Sequence, residues 1–150
     1  MRSTSDIWIS KTILILIFLS VCHSAFSQQK DKPNAYYQSV QNRHSLDSIF
    51  PVDDIQSITV TNYNGTHALT KDKLTFLKGQ LKKAKFAGGL LLKPGHITLT
   101  IKLKANSKAK TGYVYAYKGN INFDAAIDKH GNNFSGTYYL PLAINFDNYK

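Results

Sequence analysis

The chain has 150 residues, a formal net charge of +10 at pH 7 and a single cysteine, Cys22. This length predicts one domain, and one cysteine excludes both an internal disulfide and a metal site built from several thiolates. The excess of lysine over aspartate, in a chain without glutamate, predicts an acidic partner, although an AT-rich genome would also encode many lysines.

The first 27 residues have the pattern of a secretory signal peptide. Arg2 and Lys11 precede an apolar run at 12–21, and small residues ending at Ser27 form a cleavage site. As a helix, the apolar run would rise only about 15 Å, which is half of the roughly 30 Å that a membrane span needs. We therefore expect residues 1–27 to be removed, no transmembrane span, and a secreted or periplasmic protein.

Cys22 supports a second interpretation of the same segment. The stretch from Leu19 to Cys22 resembles a bacterial lipobox, in which the cysteine is lipidated and anchors the protein to a membrane. Val21 stands where a small residue normally precedes that cysteine, and this favours cleavage after Ser27. A lipid anchor through Cys22 is the alternative to a freely secreted or periplasmic protein.

The remaining chain divides into an arm and a domain. Residues 28–54 are polar and follow no sustained period, so we expect an irregular N-terminal arm. A single domain then spans 55–150. Its first element is predicted to be a β-hairpin around Asn64-Gly65, because apolar and polar residues alternate before this turn signal.

A helix is predicted from Lys71 to Lys83. Thr70 is suited to be its N-cap, and Asp72 lies in the first turn, where the helix dipole favours a negative charge. The apolar stripe consists of Leu74, Leu77, Leu81 and Ala84, with Phe76 at its margin. Lysines cover the other sides and form either an ordinary solvated face or a site for anionic headgroups. Export and the lack of a recognition motif argue against nucleic acid as a partner.

The rest of the domain is predicted to be an antiparallel meander. The segment at 96–104 alternates most regularly, and 111–118 forms the next strand. Further strands are expected at 121–123, 134–140 and 142–146. The predicted fold class is therefore α+β, with one amphipathic helix packed on an antiparallel sheet of about five to six strands.

The candidate binding site lies on the two strands at 96–118. We expect tyrosines, threonines and a lysine on one side, opposite the aliphatic side chains. The pairs that would produce this arrangement are Lys102 with Tyr113, Thr100 with Tyr115 and Thr98 with Tyr117. Rings beside hydroxyl groups and a cation suit an acidic protein, a glycan or an anionic envelope surface. Tyrosine and threonine also favour strands for structural reasons, and a one-residue slip would place the tyrosines in the core.

The sequence lacks the motifs that mark common catalytic and metal sites. It contains no nucleophile elbow and no phosphate-binding glycine loop, and the histidines that follow the signal segment are scattered singly at positions 44, 67, 96 and 130. The stretch from Asp128 to Asn133 is better explained as a turn than as a calcium loop. We therefore expect no cofactor and no bound metal.

These features favour a small, exported, non-enzymatic binding domain that uses Tyr113, Tyr115, Tyr117 and Lys102. An inhibitor or an immunity-type periplasmic protein is an alternative, by analogy at the level of the fold. A hydrolase of envelope polymers is a further alternative. It would be favoured by a cleft that holds His67, His96 or His130 beside an aspartate or a serine.

Overall fold

The computed structural model describes residues 32–89 and 97–149. The leader at 1–27, Cys22 within it, and His96 at the predicted start of a strand lie outside the described residues. The hypotheses of export, of cleavage after Ser27 and of lipidation at Cys22 therefore stay predictions.

Regular structure in the described residues comprises strands, two helices and short 3-10 turns. The strands are β1 (Lys32–Pro33), β2 (Ile55–Asn62), β3 (Gly65–Ala68), β4 (Lys85–Gly88), β5 (Ile97–Leu103), β6 (Tyr113–Tyr117), β7 (Asn120–Ile127), β8 (Asn133–Tyr139) and β9 (Leu142–Ala143). The helices are α1 (Leu46–Ile49) and α2 (Lys71–Lys83). The 3-10 turns are Tyr37–Val40, Val52–Asp54 and Phe146–Asn148.

Seven of these strands form one antiparallel sheet in the order β3-β2-β5-β6-β7-β8-β4. The predicted α+β class is confirmed. Strand β4 was not predicted, because it follows the helix closely and Phe86 is its one large apolar residue. The last predicted strand is reduced to Leu142–Ala143, which pairs with β1 in a separate two-stranded sheet.

Helix α2 has the predicted bounds, and its cap is confirmed. The side chain of Thr70 accepts a hydrogen bond from the backbone N–H of Lys73 at 3.5 Å. The helix leads from β3 at one edge of the sheet to β4 at the other, and its Leu77 and Leu81 are fully buried in the core. We call the side of the sheet that packs on α2 the inner face, and the opposite side the outer face.

The two-residue period of the strands decides which side chains reach each face. On β5, Leu99 and Ile101 are buried in the core, and on β6, Val114 and Ala116 are buried with them. Burial of apolar surface stabilises the fold by roughly 25 cal/mol per Å², so this set fixes the orientation of both strands. The residues between them must therefore point to the outer face.

The arm at 32–54 has little regular structure but contributes to the same core as the sheet. Leu46, Phe50 and Val52 are fully buried there. The backbone N–H of Leu46 donates a hydrogen bond to the carbonyl oxygen of Ala84, and this bond places the middle of the arm beside the β4 edge of the sheet. Short, polar and aperiodic segments can thus carry the few apolar side chains that close a core.

Replacing Phe50 with alanine tests this contribution of the arm. The Phe50 ring packs on Phe123 and Phe134, with centroids 5.3 and 6.2 Å away. Phe50→Ala should therefore lower the free energy of unfolding by about 3–5 kcal/mol, as measured by denaturant titration. The exposed arm residue Gln41 is the control, and Gln41→Ala should change stability by less than about 0.5 kcal/mol. Equal stability of the two variants would contradict a structural role for the arm.

A β-bulge in β7 sets the position of β6. The register between β7 and β8 shifts between Phe123 and Ala126, and Ala125 has a positive φ of 52°. Gly112 precedes β6 and packs on this bulge, where a Cβ atom would collide with the carbonyl oxygens of Asp124 and Ala125. Glycine therefore allows the backbone of β6 to approach β7 at this point.

Alanine substitution should have opposite effects at two glycines. Gly112→Ala should destabilise the protein by about 1–3 kcal/mol, because backbone atoms of the bulge must move. Gly79→Ala should stabilise it by about 0.4–1 kcal/mol, since Gly79 lies within α2 and a Cβ atom there meets open space. Denaturant unfolding measures both changes. A stabilising effect at Gly112 would contradict the close contact with the bulge.

Candidate functional site

Strands β5 and β6 pair two residues away from the predicted register. Thr98 lies opposite Tyr115. The predicted pairs of Lys102 with Tyr113, Thr100 with Tyr115 and Thr98 with Tyr117 are therefore wrong. The physical reason is the connection at 104–112, in which Lys110 pairs with Ile127 of β7 instead of continuing a simple hairpin. Because the shift is two residues, every side chain keeps its predicted face.

The candidate residues all lie on the outer face. Tyr113 is 64% exposed and Tyr117 is 53% exposed, Thr100 and Lys102 are exposed, and Thr98 and Tyr115 are half-buried. The one-residue slip does not occur, because Val114 and Ala116 occupy the inner face. The structure thus brings the six predicted residues onto one surface.

Three tyrosines on β6, namely Tyr113, Tyr115 and Tyr117, form what we call the tyrosine row. The rings of Tyr113 and Tyr115 are nearly parallel, with an interplanar angle of 16° and centroids 6.5 Å apart. Strand β6 is the central strand of the seven, so hydrogen-bonded neighbours on both sides fix its backbone. The rings therefore stand on a rigid support.

Each end of the tyrosine row carries a lysine. Lys118 Nζ lies 5.5 Å from the centroid of the Tyr117 ring, within the range of a cation–π interaction. Lys102 lies on β5, beyond the Tyr113 end of the row. This part of β5 is close to the residues that precede Tyr113, because the carbonyl of Ile101 accepts a hydrogen bond from the Thr111 hydroxyl at 3.1 Å. Positive charge thus flanks the rings on both sides.

The outer face of β7 and β8 is covered. Asn120, Asn122 and Thr137 point outward, yet only 9%, 4% and 2% of their surfaces are exposed. Thr137 Oγ1 lies 2.5 Å from Asn122 Oδ1 and 2.9 Å from the carbonyl oxygen of Gly89. The Asn122 amide donates to Asn120 Oδ1 at 3.3 Å. These groups hydrogen-bond within the fold, and the accessible part of the outer face is the half that contains β2, β5 and β6.

Asn34 fixes the arm beside the turn that follows the tyrosine row. Its buried amide donates to the carbonyl oxygens of Gly119 and Leu140 at 2.8 and 2.9 Å. Lys118 and Gly119 both have positive φ, 33° and 90°, as a two-residue hairpin turn requires. The arm therefore stabilises the turn that presents Lys118 next to Tyr117.

Two further tyrosines adjoin the row and were missed by the sequence analysis. Tyr139 lies opposite Asn120 on the outer face, and Asn120 lies opposite Tyr117. The ring of Tyr36 is 6.0 Å from that of Tyr139, and Tyr36 is 70% exposed. Alternation along β8 could have identified Tyr139. Tyr36 belongs to the aperiodic arm, where no pattern indicates a position.

Acidic side chains are distributed unevenly among the described residues. Asp124, opposite Tyr113, is the acidic residue on the outer face of the described strands. On the helix side, Asp53 pairs with Lys82 at 2.7 Å. The hydrogen bond from Lys82 lowers the pKa of the Asp53 carboxyl, and the same bond raises the pKa of Lys82. Basic charge on α2 is therefore partly balanced within the chain.

Other lysines of α2 also contact their own chain. Lys78 Nζ donates to the carbonyl oxygens of Asp53 and Ile55 at 3.2 and 3.0 Å. Lys73 Nζ lies 4.9 Å from the centroid of the Tyr149 ring. These contacts make the helix a weaker candidate for an anionic partner than the accessible half of the outer face.

Two of the described histidines, His44 and His67, make structural contacts with their rings. The His44 ring stacks on Phe86 with centroids 4.8 Å apart, and His67 Nε2 lies 3.2 Å from the carbonyl oxygen of Asn64. His130 is exposed in the β7–β8 turn. In the parts of the chain that the structure describes, no three His, Cys, Asp or Glu side chains are grouped so that they could hold a metal ion.

The chain matches no known protein family, no curated protein and no solved structure. Within 32–89 and 97–149, no helix is sufficiently long and apolar to cross a membrane. Any function must therefore be argued from the surfaces of this fold and their chemistry.

Asp128 organises the turn between β7 and β8. Its Oδ1 accepts hydrogen bonds from the backbone N–H groups of Asn132 and His130 at 2.9 and 2.8 Å. These bonds, chiefly the one from Asn132, lower the pKa of the Asp128 carboxyl. The aspartate thus serves as an acceptor within the turn that the sequence predicted.

The lowered pKa predicts a loss of stability in acid. The unfolded chain binds the proton more tightly than the folded protein does. The Asp128 carboxylate therefore contributes its full stabilisation above the unfolded pKa of about 3.9, and this stabilisation disappears as the pH falls through the lower pKa of the folded state. Thermal unfolding between about pH 6 and pH 2 measures this loss, which should be smaller in Asp128→Asn. An identical pH dependence in both proteins would contradict the role of the carboxylate.

Proposed function

We propose that this protein is a small, exported, non-enzymatic binding domain that recognises an acidic partner through the accessible half of its outer face. The observation that carries the proposal is the tyrosine row with a lysine at each end. Tyr113 and Tyr117 are more than half exposed although they stand on the central strand of the sheet. Large exposed rings on a rigid strand have no role in core packing, and they are the side chains best suited to contact a ligand.

The physical properties of the row support this role. A tyrosine offers a large contact area and a hydroxyl group while only two side-chain torsions must be fixed, so binding costs little conformational entropy. Lys102 and Lys118 attract acidic groups to the same surface, in agreement with the net charge of +10. Thr100, exposed beside the row, adds a hydroxyl that can donate or accept a hydrogen bond.

Immobilised polymers of defined chemistry test the proposal. Mature protein from residue 28 onward should be retained on at least one acidic probe, either polygalacturonate or polyglutamate. Tyr113→Ser/Tyr117→Ser should bind about tenfold more weakly, because exposed rings at the centre of a contact contribute most of its energy. Circular dichroism and unfolding establish that the variant is folded.

The hairpin residue Tyr63 provides the matched control. It is 75% exposed and lies outside the tyrosine row, so Tyr63→Ser removes an exposed ring without changing the candidate surface. This variant should bind as the unmodified protein does. Equal binding by the Tyr113→Ser/Tyr117→Ser variant, or no retention of the unmodified protein on either probe, would contradict the proposal.

A further inference from the structure

The accessible outer face is long rather than deep. Tyr113 and Tyr117 are four residues apart on one strand, which corresponds to about 13 Å. Tyr139, against which Tyr36 packs, lies two strand spacings, about 10 Å, from Tyr117, beyond the buried side chain of Asn120. An extended line of rings fits a chain molecule better than a small compact ligand.

The composition of this surface distinguishes it from a typical protein-binding surface. Tyrosine is common in protein interfaces, but lysine is depleted there and the buried centre of an interface is more apolar than the rest of the surface. In the described part of the chain, the exposed large hydrophobic residues are four tyrosines and Phe76, and Phe76 lies on α2. Hydroxyl groups and lysines surround the rings of the row instead. The ligand should therefore be rich in hydroxyl groups and carry negative charge.

Asp124 argues against a nucleic acid. It lies opposite Tyr113 on the neighbouring strand, so a carboxylate stands beside one of the stacking rings. The Asp124 carboxylate repels any polyanion, but it can accept hydrogen bonds from the free hydroxyl groups of a polysaccharide, whereas the sugars within a DNA chain have no free hydroxyl group to donate. Lys102 and Lys118, at the ends of the row, would meet acidic groups of the ligand.

We propose that the ligand is an acidic polysaccharide that lies along the tyrosine row. This inference rests on the proposed function, and it assigns the chemistry of the partner. The apolar faces of the sugar rings stack on the tyrosines, the sugar hydroxyls meet Thr100 and Asp124, and the carboxylates meet Lys102 and Lys118.

Calorimetric titration with matched polymers tests the assignment. The first probe is polygalacturonate, and the second is the same polymer with its carboxyl groups reduced to alcohols. The mature protein should bind the acidic form about tenfold more tightly, and this preference should decrease with added salt. Polyglutamate carries charge without sugar rings, and an oligothymidylate of similar length carries charge without free sugar hydroxyls along its chain. Both should bind more weakly than polygalacturonate.

Variants separate the two contributions. Lys102→Gln/Lys118→Gln should remove the preference for the acidic form while weak binding to the reduced polymer persists. Tyr113→Ser/Tyr117→Ser should weaken binding to both forms. Lys71→Gln, at an exposed lysine on α2, should behave as the unmodified protein.

Three outcomes would overturn the inference, and each has a different consequence for the proposed binding function. Equal affinity for the acidic and the reduced polymer would refute the acidic ligand. Tighter binding of polyglutamate or oligothymidylate would assign the row to a protein or a nucleic acid, with the binding face retained. Binding to none of the four probes would refute both the polysaccharide and the proposed binding function.

Discussion

The alternation of buried and outward side chains along strand β6 determines where the tyrosine row lies. Val114 and Ala116 must face α2, because the core of the sheet is closed there. Their burial leaves no other direction for Tyr113, Tyr115 and Tyr117 than the outer face. The aliphatic residues between the rings therefore determine which face of the sheet the rings occupy.

The arm packs at one end of the outer face, beside the turn that follows the tyrosine row. Its buried Asn34 binds the backbone near Gly119 and Leu140, and its Tyr36 packs on Tyr139. The outward amides of β7 are buried in the same region and are satisfied by hydrogen bonds within the fold. One half of the face is therefore structural, and the half that contains the tyrosine row is accessible.

The sequence was sufficient for features that depend on local periodicity. The bounds of α2, its Thr70 cap and the faces of β5 and β6 all follow from short repeating patterns, and the structure confirms them. The register of β5 against β6 was wrong, because it depends on the contact of Lys110 with β7, which is distant in the chain. Strand β4 and the place of Tyr36 were missed for a related reason. Their positions depend on tertiary contacts and leave no periodic signal.

The most direct test of this account is chemical modification of the tyrosines, mapped by peptide mass spectrometry with and without polygalacturonate. We expect rapid nitration of Tyr113 and Tyr117 in the free protein, and protection of both when the polymer is bound. Tyr63 should react in both states, and Tyr138 should react in neither, since burial leaves it 1% exposed and raises its pKa to about 12. Unreactive Tyr113 and Tyr117 in the free protein, or unchanged reactivity in the presence of the polymer, would contradict the account.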